Sequence, residues 1–205
     1  IVDLCVQYGV YLLSDEIHAD FGMTRPYTTA GRFEKIHDRL VVYTAISKTF
    51  NMAGLGSSCM MIPNPELKQK ISDRYDACWM FGPCDLAFTA MEAAYTHGDA
   101  WVDQQLAYLE GNVETVNSFV AEHMPGVQVT KHEGTFLMWL DMTCFGKSSQ
   151  ELTSILAKEY GLALGDGSHY GTQADGFMRL NIGCTRDTLI KGLEQMAMMY
   201  DKYVK

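Results

Sequence analysis

Residues 40–48 read LVVYTAISK, an apolar and β-branched run that ends in a serine and a lysine. A shorter apolar run at residues 10–13 is followed by Ser14, Asp15 and an adjacent glutamate. Runs of this kind predict buried strands of a parallel sheet, here at 10–13 and 40–46. Ligands of open α/β sheets bind beyond the carboxyl ends of the strands. We therefore expect Asp15 and Lys48 to face the same crevice.

Helical and strand-like patterns alternate along the rest of the chain. Before Pro125 the sequence predicts one further strand and three helices, in the order 57–62, 65–75, 85–95 and 101–123. After Gly126 it predicts four strands and two helices, in the order 127–130, 135–141, 148–159, 162–164, 177–182 and 186–203. The pattern is that of an α/β protein. We expect part of a large, mostly parallel-sheet domain at 1–108 and a small α+β domain at 109–205.

Composition restricts the class of partner. The 205 residues include 16 basic and 25 acidic side chains, which gives a formal net charge of −9. An acidic chain without basic blocks is unsuited to nucleic acid or to an anionic membrane, and no apolar run is long enough to span a bilayer. The six scattered cysteines are typical of reduced thiols, so we expect a cytoplasmic protein. No metal site is expected, because the side chains of adjacent Asp15 and Glu16 would diverge.

The first residues predict a helix that starts without a cap. Ile1, Leu4, Cys5 and Tyr8 lie on one helical face, and Gly9 ends the helix. No capping residue precedes Ile1, so we expect the chain to begin inside a larger domain. The alternative is a processed chain with a frayed start.

Three charged residues stand in or at the ends of apolar runs, namely Asp15, Lys48 and Arg179. A pyridoxal-phosphate enzyme needs an amine for the cofactor aldehyde, a carboxylate beside the ring nitrogen and a guanidinium for the substrate carboxylate. These three residues could supply those groups, and the hydroxyls of Ser47 and Thr49 could approach the phosphate. Taken singly, each has an ordinary structural role as a solvated lysine, a turn aspartate or a polar-face arginine.

Ordered motifs along the chain favour the chemical reading. Residues 14–20 (SDEIHAD) and 47–51 (SKTFN) resemble the aspartate and Schiff-base lysine motifs of fold-type I pyridoxal-phosphate enzymes. More narrowly, they resemble the MalY/PatB type of cystathionine β-lyase, within the class I/II aminotransferase family. Further matches follow in order, namely His97-Gly98 with Trp101, Tyr108-Leu109 with Asn112, residues 133–137 with Trp139 and Asp141, and residues 177–184. The resemblance covers essentially the whole chain but only the second half of the family's length.

The resemblance implies a role for each matching residue. Lys48 would bind pyridoxal 5'-phosphate and move protons at the substrate Cα. Asp15 would pair with the pyridine nitrogen, and His18 would lie near the ring hydroxyl. Arg179 would bind the substrate carboxylate, and Tyr170 would lie in a loop near the substrate.

Three positions depart from the relatives' pattern. Ala45 stands where several relatives carry a phosphate-contacting serine, and Gly56 stands where classical aminotransferases carry a phosphate-binding arginine. The second departure fits the lyase group better. Asp166 stands where a proline is expected, which leaves the conformation of the Tyr170 loop open.

The resemblance implies β-elimination from a sulfur amino acid of the cystathionine or cysteine type, giving thiol, pyruvate and ammonia. Transamination with the same three residues is the close alternative. A third reading is a chain that is inactive alone, because the family's first half supplies further cofactor contacts. On that reading the 205 residues bind the cofactor weakly or not at all. The resemblance also implies a homodimer for the intact enzyme.

Overall fold

A computed structural model describes residues 1–80 and 82–205. The chain forms two compact units, Ile1–Gln104 and Gln105–Lys205. A long helix, α5 (Asp99–His123), runs across the boundary between them. The predicted domain boundary between residues 108 and 109 lies in the same helix, and the division into a large-domain part and a small domain remains a prediction.

The first unit contains a three-stranded sheet in the order β1-β2-β3, formed by Leu12–Asp15, Leu40–Thr44 and Cys59–Met61. β1 and β2 are parallel, with Leu12 opposite Leu40 and Asp15 opposite Tyr43. β3 is antiparallel to β2. The predicted strand at 10–13 is therefore displaced by two residues, so that Asp15 is its last residue.

The described residues of the first unit also form four helices before α5, namely α1 (Val2–Tyr8), α2 (Ile46–Thr49), α3 (Pro65–Ala77) and α4 (Asp85–His97). Gly9 ends α1 in the left-handed conformation, as predicted. The connection from β1 to β2 contains no α-helix and includes three 3₁₀ turns, at 19–21, 30–32 and 34–39. Ile36, Leu40 and Val42 form a buried cluster there, and Leu12 packs against it. The cluster anchors the two strands whose ends carry the predicted site.

The second unit contains a four-stranded antiparallel sheet in the order β4-β5-β7-β6. Its strands and remaining helices are β4 (Gln128–Val129), β5 (Leu137–Asp141), α6 (Ser149–Tyr160), β6 (Gly165–Asp166), β7 (Phe177–Asn181) and α7 (Arg186–Tyr203). The central strands bury alternate side chains, namely Met138, Leu140, Met178 and Leu180. Trp139, Phe177 and Arg179 therefore project from the opposite face, because successive side chains alternate across a strand.

Side chains cap the N-termini of α6 and α7. Ser148 and Glu151 form a reciprocal capping box at the start of α6, and Thr185 accepts a hydrogen bond from the Thr188 amide at the start of α7.

The predicted strand at 162–164 is wrong, because pairing with β7 begins only at Gly165. There the absence of a side chain permits close approach, since a Cβ on Gly165 would lie 3.1 Å from the Cβ of Arg179. The α/β class itself is confirmed.

Among the described residues, no helix combines the length and apolar character needed to cross a membrane.

Candidate active site

The structure brings the ends of β1 and β2 to one edge of the first sheet. The Glu16 amide, just after β1, donates to the carbonyl of Tyr43 in β2 at 2.8 Å. Lys48 lies in the short helix α2, which begins two residues after β2 ends. The parallel pairing puts the ends of both strands at the same edge of the sheet. That Asp15 and Lys48 face one crevice stays a prediction.

The side chains of Asp15 and Lys48 form few hydrogen bonds or ion pairs. One carboxylate oxygen of Asp15 accepts from the Ile17 amide at 3.2 Å. Within residues 1–80 and 82–205, no other hydrogen bond or ion pair engages this carboxylate, and none engages the half-buried Lys48 amine. An amine without a partner among these residues and a carboxylate with a single hydrogen bond are groups that an aldehyde and a protonated ring nitrogen would use.

Glu16 organises the segment that follows β1. Its carboxylate is 5% exposed and accepts hydrogen bonds from the Ser14 hydroxyl at 2.9 Å and the Ala30 amide at 2.8 Å. These bonds tie the loop before β2 back to the strand end. Glu16 lies in the aspartate motif that the sequence shows. Its hydrogen bond with Ala30 joins residues 14 positions apart, and no local sequence pattern indicates it.

The other two predicted cofactor residues lie in the same unit. His18 is half-buried before the 3₁₀ turn at 19–21, with its ring 6.0 Å from that of Phe21. Ser47 is half-buried in α2, immediately before Lys48. Thr49 is different, because its hydroxyl already donates to Asp20 at 2.7 Å. Its hydrogen is therefore not available to a phosphate.

Two tyrosines beside these segments remain protonated at neutral pH. Burial raises the pKa of the Tyr27 phenol, and the nearby Glu16 carboxylate raises this pKa further. Burial likewise raises the pKa of the Tyr95 phenol, against a smaller lowering by its hydrogen bond with Thr44. Both phenols therefore act as neutral hydrogen-bonding groups.

A buried hydroxyl without a partner lies nine residues after Lys48. The Ser57 side chain is 5% exposed, and its hydroxyl finds no hydrogen-bond partner in the described part of the chain. An unsatisfied buried hydroxyl costs roughly 1–3 kcal/mol. It follows Gly56, where a Cβ would meet open space. A bound group or another part of the protein would complete this hydrogen bond.

The second unit carries the two predicted substrate residues. The Arg179 guanidinium lies 5.1 Å from the centre of the Tyr170 ring, and this ring meets Trp139 edge-on. In the described residues Arg179 forms no ion pair and no side-chain hydrogen bond. The guanidinium is thus oriented by an aromatic ring while its hydrogen-bonding fork stays free, which suits a carboxylate ligand.

Arg186, unlike Arg179, is held by contacts with neighbouring side chains of the same unit. It donates to the Asn112 side chain, stacks on the Tyr108 ring, and its backbone amide donates to the Tyr108 hydroxyl. The two arginines of this unit therefore differ, since only the Arg179 guanidinium lacks a hydrogen-bond partner among the described residues.

Among the described residues, no group of three or more histidine, cysteine, aspartate or glutamate side chains could hold a metal ion.

The helices and the two sheets define an α/β protein. The profile of the family described as aminotransferase class I and II matches residues 1–196. The chain belongs to this family. Two curated relatives are cystathionine beta-lyase PatB of Bacillus subtilis strain 168, 36% identical, and protein MalY of Escherichia coli K12, 30% identical. The alignments cover 95% and 93% of this chain but 51% and 49% of the relatives, so the chain spans about half their length.

Solved structures give the same assignment. A pyridoxal-phosphate-bound putative aminotransferase from Clostridium difficile 630 matches with a TM-score of 0.92 and 31% identity, over 97% of this chain and 52% of that one. Cystalysin from Treponema denticola, which contains a pyridoxal 5'-phosphate cofactor, matches with a TM-score of 0.92 and 26% identity. That match covers 100% of this chain and 52% of cystalysin. The predicted fold class and family are therefore confirmed.

Proposed function

We propose that this chain is part of a pyridoxal-phosphate-dependent carbon–sulfur β-lyase. Its substrates would be amino acids of the cystathionine or cysteine type, and its products a thiol, pyruvate and ammonia. The observation that carries the proposal is the parallel pairing of β1 with β2, which puts the segments bearing Asp15 and Lys48 at one sheet edge. The name of the 36%-identical relative, cystathionine beta-lyase PatB, supports the reaction type.

The groups available in the first unit fit the cofactor. Lys48 offers an amine free of ion pairs, and Asp15 offers a carboxylate with one hydrogen bond. Ser47 and Ser57 are the hydroxyl candidates for the phosphate, since Thr49 donates to Asp20. When bound, pyridoxal phosphate supplies an aldehyde for amines and a ring that accepts the electron pair released at the substrate Cα.

The residues of this chain would divide the remaining work. Lys48 would hold the cofactor in the resting enzyme and take the Cα proton from the substrate as a general base. Asp15 would keep the ring nitrogen protonated, and His18 would contact the cofactor beside it. Loss of the Cα proton and of the β-thiolate leaves a fragment that one water molecule converts into pyruvate and ammonia.

Arg179 would bind the substrate carboxylate through its free fork, with Tyr170 keeping the guanidinium in place. A carboxylate ligand would also supply the counter-charge that the described residues do not give Arg179. By analogy with its family, the intact enzyme would be a cytoplasmic homodimer.

Transamination is the second candidate function. It is favoured by the 31% identity to a solved putative aminotransferase, and it needs the same lysine, aspartate and arginine. The two reactions differ in the fate of the β-substituent. A lyase releases it as a thiol, whereas an aminotransferase retains it and passes the amino group to a keto acid.

The test is incubation of the full-length protein with cystathionine, with and without an added keto acid. We expect thiol and pyruvate to appear in equal amounts without the keto acid. Amino transfer that depends on the keto acid, without thiol release, would establish the aminotransferase instead.

Two variants assign the reaction to Lys48. Lys48→Ala should abolish thiol release, while Lys70→Ala on the exposed side of α3 should retain it. Turnover that survives Lys48→Ala removes this lysine from the mechanism.

A further inference from the structure

Thr49, the residue after Lys48, is held by two hydrogen bonds from distant parts of the first unit. Its side chain is 1% exposed, and its hydroxyl donates to the Asp20 carboxylate at 2.7 Å. Its carbonyl accepts from the Trp101 indole N–H at 3.1 Å. Carbonyls at the end of a helix as short as α2 lack intrahelical partners, and the indole satisfies this one.

The α4–α5 junction also packs against the next residue, Phe50. The Phe50 ring meets the Tyr95 ring edge-on, with centroids 6.0 Å apart. Gly98 lies so close that a Cβ there would be 2.2 Å from Phe50 Cε1 and 2.3 Å from the carbonyl oxygen of Ala94. Only glycine fits this position, and its small size lets Trp101, three residues later, reach the backbone beside Lys48.

Asp20 connects these contacts to the end of β1. It lies in the 3₁₀ turn at 19–21, whose Phe21 side chain is 2% exposed. The amide of Ala19 donates to the Glu16 carbonyl at 2.9 Å. This hydrogen bond holds the 3₁₀ turn close to the end of β1. The Asp20–Thr49 hydrogen bond therefore joins the segment that carries Asp15 to the segment that carries Lys48.

From these contacts we infer that Thr49, Asp20 and Trp101, here called the Thr49 clamp, are positioning residues for Lys48. This inference rests on the proposed function, in which Lys48 holds the cofactor and moves the Cα proton. The clamp fixes the Thr49 side chain and the peptide plane between Thr49 and Phe50. It thereby restricts the backbone next to Lys48 and the direction of the Lys48 Cα–Cβ bond. The four flexible methylenes then search a smaller volume around the reacting atoms.

The expected effect is on the chemical step more than on substrate binding. A misplacement of about 1 Å in a catalytic group lowers turnover by up to about 100-fold. No clamp residue is assigned to the substrate, so KM should change little. The pH at which the visible absorption of the cofactor-bound enzyme changes should shift as well, because that absorption reports the surroundings of the lysine–cofactor bond.

The test uses four variants of the full-length holoenzyme. Thr49→Val removes the hydroxyl at nearly constant volume, and Trp101→Phe removes the indole N–H. Each should lower kcat by about tenfold, with KM within about threefold, and shift the midpoint pH of the absorption change. Thr49→Ser, which restores a hydroxyl, should restore both properties. Thr89→Val is the matched control, because the Thr89 hydroxyl bonds only its own helix at Asp85.

Two outcomes would overturn the inference. Wild-type kcat and midpoint pH in both Thr49→Val and Trp101→Phe would overturn the clamp, as would a Thr49→Ser variant as defective as Thr49→Val. Should Thr49→Val fail to fold, Trp101→Phe decides alone by the same two readouts.

Borohydride reduction and peptide mapping separate this inference from the proposed function. A cofactor found on a lysine other than Lys48 would refute the proposed function itself. A cofactor found on Lys48, together with wild-type behaviour of both clamp variants, would refute the clamp alone.

Discussion

At the scale of single residues, the neighbours of Arg179 hold the side chain that we propose as the carboxylate ligand. Its guanidinium stacks near the Tyr170 ring, and a Cβ on Gly165 opposite it would fit only tightly, 3.2 Å from Arg179 Nε. Its neighbour across the sheet is Trp139 in β5. Stacking and steric limits restrict the side chain while they leave every N–H of the fork unused. Less rotamer entropy is then lost when a carboxylate binds.

The first prediction concerns this fork. Arg179→Lys keeps the charge but loses the planar pair of donors, so KM for the amino-acid substrate of the full-length enzyme should rise about 10- to 100-fold. Steady-state kinetics measure the change, and the exposed Arg74→Lys serves as the control. An unchanged KM would exclude Arg179 as the carboxylate ligand.

At the scale of elements, the capping box of α6 gives a prediction for pH. The Ser148 amide and hydroxyl both donate to Glu151, and these hydrogen bonds lower the pKa of the Glu151 carboxyl from its ordinary 4.5. A carboxyl whose pKa is lower in the folded state stabilises the fold. This contribution is fully present at pH values above the ordinary pKa, and it is lost as the pH falls through the lowered pKa. The stability advantage of the wild type over Glu151→Gln should therefore shrink in acid.

Urea unfolding of both proteins between neutral pH and pH 3 would measure this difference. Glu194→Gln on the exposed side of α7 is the matched control and should not reproduce the trend. A wild-type advantage that grew in acid would contradict the assigned role of Glu151.

A second element-scale prediction concerns Asn112, which is 0% exposed and joins α5 to the end of β7. Its amide donates to the carbonyls of Ile182 at 2.8 Å and Cys184 at 3.2 Å. Asn112→Ala leaves these acceptors unpaired and should lower the free energy of unfolding by roughly 2–3 kcal/mol. Chemical denaturation measures this loss, and Asn117→Ala on the exposed side of α5 should lose much less. Equal losses in the two variants would contradict the role of Asn112.

The elements near the predicted site followed from local sequence, whereas the bonds that hold them did not. Strand ends, caps and the Lys48 motif depend on neighbouring residues, so the sequence patterns predict them within a few positions. The Thr49 bonds to Asp20 and Trp101 span 29 and 52 residues, and no periodicity reports such contacts. The hydroxyl of Thr49 was consequently expected near the phosphate. The displaced pairing at Gly165 likewise depends on Arg179 of another strand.

At the scale of the whole molecule, the chain contains the lysine, aspartate and arginine of the proposed site but about half the length of its relatives. We predict that the 205 residues alone bind pyridoxal phosphate weakly or not at all, because the relatives' other half would supply further cofactor contacts. Spectroscopic titration followed by borohydride reduction measures the binding. A tight complex of one cofactor per chain would contradict this prediction.

The edge of the first sheet has a practical consequence for the isolated chain. Among the described strands, β1 pairs only with β2, and its Leu13 side chain is 62% exposed. A strand with a free edge and an exposed leucine can recruit a strand from another molecule, and a lysine on such an edge is a common natural defence. Preparations of the 205 residues should therefore self-associate as concentration rises, and Leu13→Lys should keep them monodisperse in light scattering.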